Sequence, residues 1–375
     1  MIAIIQFNCS ITPDKNVDEV VSEELILKEF QHQLKRDLED DNINGSISAA
    51  VLKGDKIIWS KAFGFVDNTS KTKADTTTIY RIGSITKTFT SILMMQLLEE
   101  GIIELEDPIE KYVPEVKELI GYSDMTKITF LQLASHTSGL HREPNMEDAS
   151  DGPINEWKNK VLKAIPSISF QSSPGEKYSY SNIGYGILGL ALSRAVKKPY
   201  IQLVKDNIFI PLGMTTTFFN VPNSKLDQLA VGMEGGPFGE INMEIPKKEH
   251  AGRGYKVPNG AIYSTPNDMA KFMGAMMGFQ NLVHPSNLAQ MHQSPLPEDE
   301  TWWQNYGLGI RLLRDSIIST AGHTGSVSGY TANFMYQREG EYGVVIMRNY
   351  NWGMTNIDLR SFAVLRRLKK ITKNN

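Results

Sequence analysis

A single cysteine, Cys9, is the only thiol in this sequence. No intrachain disulfide can form and no thiolate cluster can hold a metal, so the fold must rest on packing alone. The seven histidines, at 32, 136, 141, 250, 284, 292 and 323, include no His-Glu-x-x-His pair or comparable ligand spacing, which argues against a metal centre. No apolar run reaches the ~18 residues of a membrane span, so none is expected. Charge of one sign is lacking too. The 39 basic and 42 acidic residues are spread along the chain and leave a net charge of −3, with no electrostatic footprint for nucleic acid. The glycine-rich stretch 232–239 lacks the Lys-Ser/Thr ending of a phosphate loop, and no Gly-x-Ser-x-Gly elbow is found. The apolar start, Met1 to Phe7, has no positively charged beginning and soon turns polar, and Gln6-Phe7-Asn8 suits a lipoprotein cysteine poorly. A cytoplasmic location is expected as the sequence is written, and export if a leader precedes it.

What is present is an ordinary globular composition, 41% hydrophobic and 22% charged over 375 residues, enough for one large domain or two intimately packed ones. Apolar residues at Val21, Leu25, Phe30, Leu34 and Leu38 predict an amphipathic helix over 20–38. Two β-prone runs, 46–52 and 57–66, flank Lys53-Gly54-Asp55-Lys56 and read as a hairpin. A strongly apolar helix is expected over 85–100, carrying Ile85, Phe89, Ile92, Leu93 and Leu97 and capped by Gly101. From about 107 to 287 helical patterns alternate with Pro and Gly punctuation. Strands return at 309–313, 316–321, 331–336 and 342–349, with a last helix over 357–369. This order implies an α+β fold, an antiparallel sheet flanked by helices and split in sequence by an all-helical insertion. The expected division is an extension at 1–24 and a catalytic unit at 25–375. Within that unit a sheet part falls at about 25–80 and 300–375, and a helical part at about 81–299.

Two Ser-x-x-Lys tetrads occur, at Ser70 and at Ser84. The chemistry needs a helix, because residues three apart share a face and bring the amine to the hydroxyl. Only Ser84-Ile85-Thr86-Lys87 opens one; Ser70 sits in a solvated polar turn. A serine there is equally suited to cap the helix, where outward N–H groups also favour a developing alkoxide. Two further constellations stand out: Tyr178-Ser179-Tyr180-Ser181-Asn182 ahead of an apolar helix, and Gly322-His323-Thr324-Gly325-Ser326 at the end of the run from Ser316. Each alone reads as a loop over packed aromatics or a tight strand connection. Small residues in the second permit the close backbone approach that a cleft-lining strand needs.

Taken in order, Ser-x-x-Lys, Tyr-x-Asn and His-Thr-Gly resemble the class C β-lactamases, the low-molecular-mass penicillin-binding proteins and their esterase and D-amino-acid peptidase relatives. His136-Thr137-Ser138-Gly139-Leu140, Pro211-Leu212-Gly213-Met214, Gly260-Ala261-Ile262-Tyr263-Ser264-Thr265 and Tyr306-Gly307-Leu308-Gly309 add to the likeness. The resemblance implies a β-lactamase/transpeptidase-like fold and a serine hydrolase that acts on an amide or ester bond without metal or organic cofactor. Ser84 would be the nucleophile, with Lys87 and Tyr180 moving its proton. Asn182, His323, Thr324, Gly325 and Ser326 would bind substrate, the N–H groups of Ser84 and Ser326 forming an oxyanion hole. The expected partner is a small molecule or short peptide, whether a D-amino-acid peptide, a β-lactam or an ester; no oligomeric state is indicated. A penicillin-binding sensor or scaffold with little turnover is the alternative on the same fold.

Free Lys titrates near about 10.4 and Tyr near about 10, so a base working at neutral pH must lie roughly three pH units lower, on the order of 4 kcal/mol. The residues leave open whether Lys87 or Tyr180 is that base. One departure matters: His323 stands where the family usually has lysine, removing the permanent cation that helps hold a substrate carboxylate and weakening the case for strong β-lactamase activity. With an ordinary histidine there, carboxylate binding is expected to strengthen below about pH 6.5. Trp302-Trp303 either lines the cleft or forms a packed apolar pair, and His136 reads as a structural loop residue. The basic run 366–370 is expected to be a solvated helix face and is assigned no partner.

Overall fold

The computed structural model describes residues 22–67, 69–235, 240–297 and 304–372; Cys9 and the Trp302-Trp303 pair lie outside them. Helix α1, Glu23–Asp41, starts at Ser22, whose Oγ accepts from the Leu25 N–H at 3.1 Å, and stops at Asn42 in the left-handed conformation. The hairpin follows as β1, Ser46–Lys53, and β2, Lys56–Asp67, with Gly54 at φ +61° in its turn, and a short edge strand β3, Thr72–Lys73. Helix α2, Thr86–Glu99, is preceded by a 3-10 turn, Gly83–Ile85. The helical middle includes α3, Asn182–Ala195, and α4, Pro266–Met276. The chain then returns to the sheet as β4 Gln304–Tyr306, β5 Arg311–Arg314, β6 Ser319–Val327, β7 Tyr330–Gln337 and β8 Tyr342–Arg348, before α5, Ile357–Thr372.

The eight strands form one antiparallel sheet in the order β3-β2-β1-β8-β7-β6-β5-β4, so β1 pairs with β8, Ile47 opposite Arg348. Side chains alternate across a strand, and β1 shows it: Ile47, Ala49 and Val51 join a core with α1 and α5, while Ala50 and Leu52 face a second core with α2 and α4. A sheet covered on both faces needs apolar residues on both, which is why β1, β7 and β8 read as nearly continuous apolar runs. A buried polar knot locks the far end of α1. Asp41 accepts from Arg348 Nη1 (3.1 Å), Tyr350 Oη (2.9 Å), the Thr355 N–H (2.9 Å) and Thr355 Oγ1 (2.6 Å). Among the described residues, no helix is long and apolar enough to cross a membrane.

Strand β6 differs from expectation. It was expected to end at Ala321, ahead of the His-Thr-Gly triad, yet it begins later and runs through the triad to Val327. Its pairing with β7 continues to Val327–Tyr330, whereas its pairing with β5 stops at Gly322–Arg311. Residues 323–327 therefore have strand pairing on one side only. Glycine at 325 lowers local strand propensity, but the ladder to β7 overrides it.

Candidate active site

The free side of β6 packs against the turn that carries Ser84. A Cβ placed on Gly325 would lie 1.8 Å from the Ile82 carbonyl oxygen and 3.1 Å from the Ser84 nitrogen, and one on Gly83 would lie 3.0 Å from the Ser326 nitrogen. Glycine is required on both sides for this approach, and Gly83 also takes a positive φ of 51°. Two backbone N–H groups, those of Ser84 and Ser326, are thereby brought beside one another. The first belongs to the opening turn of a helix, where N–H groups have no intrahelical acceptor.

Lys87, one turn on, is fully buried. Its Nζ lies 3.2 Å from Ser84 Oγ, 2.8 Å from Asn182 Oδ1 and 3.2 Å from the Asn259 carbonyl oxygen. The Tyr180 phenol lies near enough to Ser84 to feel its hydroxyl, and Lys87 Nζ stands 4.8 Å from the centre of the Tyr180 ring. Asn182 is oriented by charge: its Nδ2 donates to Glu143 Oε1 at 2.6 Å, since a carboxylate can only accept, leaving Oδ1 for Lys87. Glu143 is held in turn by Tyr255 Oη and by Lys256 Nζ at 3.3 Å. Ser84, Lys87, Tyr180 and Asn182 thus meet at one point.

A family model described as Beta-lactamase matches residues 32–363. The chain belongs to the Beta-lactamase family. Its members are generally serine hydrolases. The chain is similar to "Beta-lactamase-like protein 2" of Dictyostelium discoideum, 31% identical over 331 residues that make up 85% of this chain and 58% of that protein. It is also similar to "Protein flp" of Staphylococcus aureus strain N315, 27% identical over 87% of this chain and 64% of that one. The chain therefore spans about six tenths of the length of these curated relatives. Among solved structures it resembles the octameric penicillin-binding protein homologue from Pyrococcus abyssi, with a TM-score of 0.74 and 21% identity over 93% of this chain and 78% of that one, a likeness of fold.

In this Beta-lactamase family chain the electrostatics separate the two candidate bases. Burial, reinforced by the charges of Arg142, Lys256 and Arg253 and opposed by Glu143, holds the Lys87 amine well below its ordinary value. Burial pushes the Tyr180 phenol well above its own, with the nearby Ser84 hydroxyl opposing it only weakly. Both shifts favour the uncharged forms, an amine beside a phenol.

His323 overturns an expectation. It is buried, its Nδ1 donates to the Thr324 carbonyl at 2.7 Å, and its Nε2 lies 3.0 Å from Tyr306 Oη and accepts from it. Burial, with the Lys87 charge second, pushes its pKa down to about 3. It therefore stays neutral across the range where a free histidine would titrate, and it cannot strengthen carboxylate binding below about pH 6.5. Thr324 points its hydroxyl to the opposite face, where Arg311 Nη1 (2.6 Å), Asp358 Oδ1 (3.2 Å) and Asn333 Nδ2 (3.3 Å) engage it. What the triad brings to Ser84 is backbone, through Gly325 and Ser326.

Several residues escaped the sequence reading. Asn259 contributes a carbonyl, which every residue has. Glu143 follows the 136–140 phrase by three positions, yet nothing in the chain points it at Asn182. His136 does more than fill a loop. Its Nδ1 accepts from the Ser181 N–H at 3.0 Å, its carbonyl accepts from the Ser179 N–H at 2.7 Å, and its ring lies 4.1 Å from that of Tyr180. It grips the backbone on both sides of Tyr180.

Proposed function

We propose that this protein is a serine hydrolase that cleaves an amide or ester bond through a covalent acyl-enzyme on Ser84, with Lys87 as general base. The observation that carries this reading is the set of three contacts at Lys87 Nζ. A neutral amine has two N–H donors and one lone pair. Asn182 Oδ1 and the Asn259 carbonyl can only accept and so take both donors, leaving the lone pair for the Ser84 hydroxyl.

In the first step the Ser84 proton passes to Lys87 while Oγ bonds to the substrate carbonyl carbon. The resulting oxyanion sits between the Ser84 and Ser326 N–H groups, donors each worth about 3 to 4 kcal/mol in such sites. When the intermediate collapses, the bond to the leaving amine or alcohol breaks. Tyr180 gives that group a proton and recovers one from the Lys87 ammonium. Water then attacks the acyl-enzyme with the same groups working in reverse, releasing a carboxylic acid and free Ser84.

D-amino-acid peptides, β-lactams and small esters are the substrate classes this site suits, with β-lactam turnover expected to be weak because His323 supplies no cation. A panel of a chromogenic cephalosporin, p-nitrophenyl esters and D-alanyl peptides, with Ser84→Ala as the blank, tests the reading. Turnover that vanishes in Ser84→Ala is expected. Turnover that survives it would overturn the assignment of the nucleophile. A penicillin adduct on Ser84 that never clears in mass spectrometry would favour a penicillin-binding sensor instead.

A further inference from the structure

A second polar cluster adjoins the groove and takes no part in the steps above. Arg81, fully buried three residues before Ser84, donates from Nη1 to Glu249 Oε2 at 2.7 Å. Arg253 Nη1 donates to the same oxygen, and Ser328 Oγ donates to Oε1 at 3.1 Å. One carboxylate thus serves two guanidinium groups. His250, beside them, adds no charge: burial pushes its pKa down to about 4, and its Nδ1 lies 2.6 Å from Tyr263 Oη.

The surplus of positive charge shows as unused donors. Arg81 Nε and Nη2 and Arg253 Nε are buried with no hydrogen-bond partner among the described residues. Folds rarely keep a buried cation short of acceptors, and where they do a ligand anion is the natural complement. Arg81 and Arg253 share Glu249, as Arg142 and Lys256 share Glu143.

Arg253 is the member of the cluster that approaches Gly260, beside the Lys87 contact at Asn259. A Cβ at Gly260 would find one atom within 4 Å, Arg253 Nη2 at 4.0 Å, so the space over Gly260 is open and the guanidinium forms its wall. Gly260 directly follows Asn259, whose carbonyl holds Lys87. The leaving group must face Tyr180, its proton donor; the acyl part is what remains to face Gly260.

We propose that Arg253 binds a carboxylate carried on the acyl part of the substrate, making the enzyme selective for acidic acyl groups. This rests on Ser84 being the nucleophile. Removing Arg253 leaves Glu249 paired with Arg81 alone, so Arg253→Gln keeps the buried charges balanced.

The test compares the mono-p-nitrophenyl ester of adipic acid with p-nitrophenyl hexanoate, which share a leaving group and an acyl length. The readout is the ratio of kcat/KM values within each enzyme, so that general damage cancels. The wild type is expected to favour the acidic ester, and the preference is expected to fall roughly tenfold or more in Arg253→Gln, the scale of one charge-assisted hydrogen bond. Gly260→Leu, which fills the space beside Nη2, should lower the same ratio and serves if Arg253→Gln does not fold. An unchanged ratio in the folded variants overturns the proposal. Calorimetric titration of adipate into wild type and Arg253→Gln separates this from the nucleophile assignment. Binding lost with Arg253 supports the anion site even if neither ester turns over, and equal binding refutes it even if both do.

Discussion

Gly325→Ala should damage catalysis more than stability. The added carbon would sit 1.8 Å from the Ile82 carbonyl oxygen, against an ordinary carbon–oxygen contact of about 3.3 Å, so the two backbones must part by roughly 1.5 Å. Both partners are main chain, and no rotamer change relieves the clash. The same carbon lies 3.1 Å from the Ser84 nitrogen, so the displacement opens the gap between the two proposed oxyanion donors. Such donors work at about 2.7 to 3.1 Å from the oxyanion, and losing one costs about 10²- to 10³-fold in kcat. The packing cost is about 1 to 3 kcal/mol, a fall of a few degrees in Tm. Steady-state hydrolysis well below the Tm of the variant, with KM and kcat read separately, should show the loss in kcat. Gly274→Ala in α4 is the control, since its nearest neighbour is Leu52 Cδ2 at 3.4 Å. A folded Gly325→Ala with kcat within about threefold of wild type would refute the placement of the hole.

The base should show in the pH profile. Because the Lys87 amine is held below its ordinary value, kcat/KM should fall as pH drops through that lowered value, at a pH below the range where a free lysine titrates. Lys256→Gln removes one of the depressing cations and should move the acid limb to higher pH; a limb that stays put or moves lower contradicts the assignment. His136→Ala should free the backbone on both sides of Tyr180 and lower kcat by about 10²-fold with a smaller change in KM, which kinetics on a p-nitrophenyl ester would check. Nitrogen NMR should find His323 neutral and protonated on Nδ1 at about pH 5; an imidazolium there would contradict its burial. Asp41→Ala strands the buried Arg348 and should cost about 3 to 5 kcal/mol in denaturant unfolding.

The legible parts of the sequence were those governed by a short repeat. The helix after Ser84 is apolar on nearly every side, which announced a buried helix and set Ser84 and Lys87 one turn apart. The hairpin around Gly54 and the final helix followed from alternation and helical spacing in the same way. Strand β6 was cut short at Ala321 because glycines at 322 and 325 weaken any local strand signal, while the ladder to β7 that sustains it is a long-range matter. His323 was given an ordinary titration because nothing in Gly-His-Thr-Gly reveals that the ring is buried with Tyr306 hydrogen-bonded to its Nε2. Glu143 and Asn259 act through contacts with residues 39 and 172 positions away. Such approaches are set by how helices pack, and one chain read alone does not contain them.

The pairing of β1 with β8 fixes when the proposed activity can arise. Ile47 waits for Arg348 across some three hundred residues of intervening chain, so during synthesis the hairpin emerges long before its central neighbour exists. Contacts this distant in sequence carry a large loop-closure cost and form late. Ser84 and Lys87 leave the ribosome early, yet Ser326 and the strand that supports it come in the last stretch. A newborn chain would therefore carry the proposed nucleophile without the proposed oxyanion hole, and the proposed hydrolysis must wait until the sheet has closed.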